Sequence, residues 1–116
     1  MNPRDLSDAT AVLSALVRDV TVAFADEIQL FGAWVESPTS VCVVWRRTID
    51  ADLIFGWRIH FPPHAVEGDP ASTGSDVAQA LLEPPGDAME RAHHVRGVIW
   101  LWVRPDETVP EWPLAT

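Results

Sequence analysis

The run LIFGWRIHF (residues 53–61) decides the fold. Leu53, Phe55, Trp57, Ile59 and Phe61 alternate with Ile54, Gly56, Arg58 and His60, the two-residue period of a strand whose side chains leave on opposite faces. The first set is wholly apolar and calls for a core. The second carries an arginine and a histidine and keeps contact with water. Pro62 and Pro63 end the strand, because proline has no amide for the ladder.

Toward the N-terminus lie VCVVWRR (residues 41–47) and IQLFGAWVE (residues 28–36), rich in β-branched and aromatic residues. The turn-forming clusters SPTS and TIDAD separate the three runs, so they predict three antiparallel strands joined by hairpins. Before them, Leu6, Ala9, Leu13, Leu16, Val17, Val20 and Phe24 recur at three- and four-residue steps, which predicts an amphipathic helix with Asp5 or Ser7 as its cap. Its apolar stripe needs the sheet; the expected core is Leu13, Leu16, Val17 and Val20 against Phe55, Trp57 and Ile59.

Toward the C-terminus, HAVEGDPASTGSD (residues 64–76) is polar, holds Gly68, Pro70 and Gly74, and reads as a long loop or lid. Ser75 or Asp76 caps a short helix to about Glu83, which Pro84 and Pro85 stop. A second helical piece from about Asp87 to His94 follows, with Gly97 as its exit, and VIWLWVR (residues 98–104) is a fourth strand. The expectation is one α+β domain over residues 1–104 in the order α-β-β-β-α-β. It has an about four-stranded, mainly antiparallel sheet, with the N-terminal helix and the broken second helix packed on one face. An extended, proline-rich acidic tail forms residues 105–116.

Composition narrows the function. An apolar share of 47 % in 116 residues supplies a core for one domain and excludes a disordered chain. Acidic residues number 17 against 8 basic ones, all arginine, which disfavours nucleic acid and anionic lipid and suits a basic partner. Absence of lysine and tyrosine also fits a G/C-rich, bacterial coding sequence, in which acidity is a solubility device. Cys42 is the single cysteine, so no internal disulfide forms, and within VCVVW it behaves as a small hydrophobe. The opening MNPRDLSDAT lacks the basic-then-apolar order of a secretory leader, and no apolar run reaches membrane-span length, which predicts a cytoplasmic protein without a membrane partner.

No catalytic, metal or nucleotide motif emerges. His60 and His64 bracket two prolines with Glu67 and Asp69 behind them, but this is not a zinc-ligand spacing, so no metal or other cofactor is expected. His93 and His94, adjacent on the expected helix, diverge by about 100° and favour the helix dipole instead. ASTGSD lacks the lysine and spaced glycines of a phosphate loop, and Asp50 and Asp52 are ordinary turn residues.

Three functional classes remain. The favoured one is a non-catalytic protein-binding module, immunity-like or chaperone-like. The element order resembles small acidic secretion chaperones and some bacterial immunity proteins, a resemblance of architecture that no residue motif carries. Its expected partner surface combines loop and tail acids (Glu67, Asp69, Asp76, Asp106, Glu107, Glu111) with the aromatic anchors Trp100, Trp102 and Trp112, the first two sharing one face of the fourth strand. The alternative is a small enzyme or ligand-binding domain with a pocket around Arg58, His60, His64 and Glu67. The third is a structural subunit of a homo-oligomer, since a strand apolar on both faces is buried on both.

Overall fold

In a computed structural model, residues 3–38, 40–60, 70–83, 92–103 and 107–110 are described, side chains of residues 3–8 and 70–73 excepted. Two helices and five strands follow in the order α1 (Pro3–Ala23), β1 (Ile28–Ser37), β2 (Ser40–Arg47), β3 (Ile54–His60), α2 (Pro70–Leu82), β4 (His93–Val95) and β5 (Val98–Leu101), with a 3-10 turn at Thr48–Asp50. The protein is therefore α+β.

The sheet has five strands in the order β1-β2-β3-β5-β4. β1, β2 and β3 form the antiparallel meander that their alternation predicts. β5 pairs parallel to β3, with Gly56 beside Trp100, and β4 closes the far edge antiparallel to β5. The sheet is thus mixed.

Both helices lie on one face. Ala9, Val12, Leu16 and Val20 of α1 are buried at three- and four-residue spacing. The principal core joins α1 and α2 to Ile28, Val41, Val43, Trp45, Phe55, Ile59, Ile99 and Leu101 of the sheet. Leu13 and Trp57 pack against it half-buried, whereas Val17 is absent from that cluster.

Three local expectations give way. α1 begins at Pro3, so Asp5 and Ser7 lie inside the helix rather than capping it. α2 begins at Pro70, several residues before the expected cap, because proline fits the first turn of a helix, where its missing amide costs nothing. Gly74 is accordingly a packing residue: a Cβ there would meet the Val12 carbonyl oxygen at 2.5 Å and the Ala15 Cβ at 2.6 Å, so the two helices touch where the side chain is missing. His93 and His94 stand on β4, not on a helix. Arg96 and Gly97 both take positive φ, 53° and 83°, and make the two-residue turn into β5 whose twist suits a hairpin.

Candidate functional site

The face of the sheet opposite α1 and α2 is not bare. Val44, Val98, Trp100 and Val103 are buried there, with Trp34, Ile54, Val95 and Val109 packed around them, so this second apolar cluster touches every strand. The indole of Trp100 lies over Gly56, and Val109 packs against the cluster from the C-terminal segment, in which Pro110 is buried. Trp102 leaves the face that Trp100 occupies. Its φ of 52° breaks the strand alternation and turns the ring to the helix side, where it stacks on Trp57 at 4.5 Å.

Beside this cluster the meander brings together residues that lie far apart in the chain. Register sets Cys42 beside Arg58 and Ser40 beside His60. Arg58 Nε stands 2.9 and 3.0 Å from the two Glu36 oxygens, and its Nη1 donates to the Thr108 carbonyl at 2.8 Å and lies 3.5 Å from Glu107. His60 Nε2 is 3.0 Å from Glu107, Ser40 donates to Glu36 at 3.0 Å, and the Cys42 thiol reaches Glu36 at 3.5 Å. Burial opposes the Arg58 charge, but hydrogen bonding and ion pairing with Glu36, then Cys42 and Glu107, outweigh it and hold the guanidinium above its ordinary pKa. Burial, reinforced by Glu36, pushes the Cys42 thiol up to about 12. A thiol so held is a poor nucleophile. Chemically this cluster is a clamp: one fixed cation gathers carboxylates from β1 and from the C-terminal segment.

At the opposite end of the sheet a cleft of about 580 Å3 is lined by Asp26, Glu27, Arg47, Thr48, Ile49, Asp50, Leu82 and Glu83. Thr48 ties the β2–β3 turn to the α1–β1 turn, its amide donating to the Glu27 carbonyl at 2.9 Å and its hydroxyl to the Asp26 carbonyl at 2.8 Å. Arg47 forms the floor. Its guanidinium pairs with Asp50, donates to the Leu82 carbonyl at 2.9 Å and covers the Phe55 ring at 5.2 Å. Neither helix has a basic residue in its last turn, so the negative end of the α2 dipole enters the cleft with Arg47, alone among the described residues, to answer it.

The large apolar side chains left exposed among the described residues cluster toward this end. Ile49 is 85 % exposed and Val22 77 %, while Leu53 and, at the β1 bulge, Phe31 are exposed to a lesser degree. Phe31 lies beneath Arg46, which lines an adjoining hollow with Ala25, Ile28, Gln29, Thr48 and Ala51.

Of the residues singled out from sequence, the structure brings Arg58, His60 and Glu107 together and buries Trp100 beside them. Asp76 stands exposed on α2, away from that cluster. His64, Glu67, Asp69, Asp106, Glu111 and Trp112 lie outside the described residues. Sequence reasoning missed Glu36, Ser40 and Cys42, and the whole cleft, whose lining comes from three turns separated by 20 or more positions and carries no local motif. Among the described residues, no helix is long and apolar enough to cross a membrane, and no three His, Cys, Asp or Glu side chains converge as metal ligands. Comparison with family models, curated proteins and solved structures finds no match to the chain.

Proposed function

We infer that the chain is a non-catalytic protein-binding module that receives a basic, amphipathic segment of a partner at the turn end of its sheet. One observation carries this: among the described residues the cleft holds Asp26, Glu27, Asp50 and Glu83 against a single arginine already engaged by Asp50 and Leu82, and Ile49 projects beside it 85 % exposed. An exposed isoleucine within an acidic rim gives a partner both an apolar contact and a sign of charge to match. This surface keeps the pairing of acid with an apolar anchor that the sequence suggested but moves it to other residues, with Ile49 in place of Trp100, Trp102 and Trp112 and turn carboxylates in place of the loop and tail acids. A net charge of −9 steers a basic partner over the last nanometre.

The test is a nuclear magnetic resonance titration with a synthetic peptide alternating arginine and leucine, against an otherwise identical glutamate–leucine peptide. The basic peptide should shift the amides of Glu27, Thr48, Ile49 and Glu83, and the acidic one should shift none of them. Replacing Glu27 and Glu83 together by Gln should weaken binding about tenfold, in line with the loss of roughly 1.4 kcal/mol, and added salt should do likewise. Shifts scattered over the surface, or binding indifferent to salt and to both substitutions, would dismiss the turn end as the docking surface.

A further inference from the structure

The second apolar cluster is closed by residues that belong to no strand. Glu107, Thr108 and Val109 reach the sheet through side-chain contacts: Glu107 to Arg58 and His60, the Thr108 carbonyl to Arg58 Nη1, and Val109 against the cluster around Trp100. Among the described residues, no backbone–backbone hydrogen bond joins this segment to a strand. The five strands, by contrast, are laddered to their neighbours. A segment held by two side chains of β3 and one small apolar contact opens at a lower free energy than the sheet beneath it. Beneath it lies an apolar band that touches all five strands and includes two tryptophans, Trp34 and Trp100, with Arg58 at its rim as a carboxylate receptor.

We propose that this band is a peptide-binding seat whose internal occupant is the chain's own Glu107–Pro110, and that a second copy of the chain delivers the same segment to it by exchange. The seat displays its own specificity. It takes a piece with a carboxylate for Arg58 and His60, a carbonyl one residue later for the same guanidinium, and a β-branched residue for the apolar band, followed by a buried proline. The sequence seen to satisfy it is this chain's, and a second copy carries that sequence by definition, so exchange keeps each contact and changes only its donor. The seat lies at the other end of the sheet from the cleft and stands or falls independently of it.

Two full-length variants separate the halves of the contact. Arg58→Ala keeps the segment and disables the seat; Glu107→Ala keeps the seat and weakens its own occupant. Mixed at equal concentration and followed by light scattering and sedimentation, they should form a 1:1 heterodimer at concentrations where each alone stays monomeric. A synthetic peptide of residues 105–112, PDETVPEW, should bind Glu107→Ala about tenfold more tightly than wild type, perturbing the Trp100 indole resonance, and should not bind Arg58→Ala. Arg58→Lys substitutes where Arg58→Ala does not fold, because it keeps a charge beside Glu36 and loses the nitrogen that reaches Thr108. Peptide binding without a heterodimer would overturn the second copy as occupant. Failure of both experiments would overturn the seat and leave the segment a fixed cover.

Discussion

The Trp100 ring fills the space that a β-carbon on Gly56 would need: its Cε3 lies 2.6 Å from that point, and two further ring atoms lie within 2.7 Å. The two residues are neighbours across the parallel pair of β3 and β5. The glycine therefore sets how deeply an indole can sink into the face opposite α1 and α2, where Trp100 is 1 % exposed. Gly56→Ala should destabilise the protein by about 1–3 kcal/mol, the usual cost of overpacking a fitted core. Urea unfolding measures it, and an unchanged midpoint would show that the ring can step aside freely.

Gly74 makes the opposite use of the same absence, between helices. Alanine there gains about 1 kcal/mol of helix propensity, but its Cβ meets backbone atoms, the Val12 oxygen at 2.5 Å and the Leu16 nitrogen at 2.8 Å, which cannot rotate away. The expected net effect of Gly74→Ala is a loss of about 1–3 kcal/mol. A stabilised variant in thermal unfolding would mean that α1 and α2 do not approach so closely.

Cys42 gives a signature in pH. Its thiol is pushed from 9.0 to about 12 by burial and then by Glu36, so above pH 9 the unfolded chain loses a proton that the folded chain keeps. Stability from this group is unaffected below pH 9 and falls as pH rises from 9 toward 12, by up to about 1.4 kcal/mol per pH unit. Lysine and tyrosine are absent, so few other groups obscure the slope. Urea midpoints of wild type and Cys42→Ala should diverge over that range, and iodoacetamide at pH 8 should label Cys42 only as fast as the protein opens. Rapid labelling of the native state would contradict the burial.

Arg47 closes the last turn of α2 through the Leu82 carbonyl and fixes the β2–β3 turn through Asp50. Arg47→Ala should cost about 2 kcal/mol, the scale of a lost charged hydrogen-bonding group. It should also raise hydrogen exchange at Leu81 and Leu82 while leaving β5 protected. Uniform loss of protection across the chain would show that the cleft floor is no separate unit.

What the sequence made legible was local. Alternation in residues 53–61 and helical spacing from Leu6 to Phe24 each hold within one element, and the structure places the meander and α1 where those periods lie. The errors came from residues whose role is set by a distant neighbour. Pro70 and Gly74 look like loop signals until α1 is known to press on α2. Residues 93–95 look helical until Arg96, a non-glycine at positive φ, turns them back onto β5. Glu36 and Cys42 meet Arg58 only because three strands align, and Cys42 inside an apolar run gave no sign of a carboxylate partner. The cleft was illegible for the same reason: Asp26, Asp50 and Glu83 are ordinary turn acids until one corner of the fold collects them.

The parallel junction of β3 with β5 also governs the order of assembly. During synthesis the meander can close as soon as β3 emerges, yet β3 then presents an open edge, for its second neighbour begins with Val98, 38 positions after His60. The hairpin of β4 and β5 must arrive as a unit and insert β5 against that edge, burying Trp100 over Gly56 in the same step. Until then the nascent chain carries an unpaired edge and an uncovered apolar face, the two features that invite association with neighbouring chains. The late, non-local closure makes folding slow relative to a purely sequential meander, and the final third of the chain acts as the latch that ends its vulnerable period.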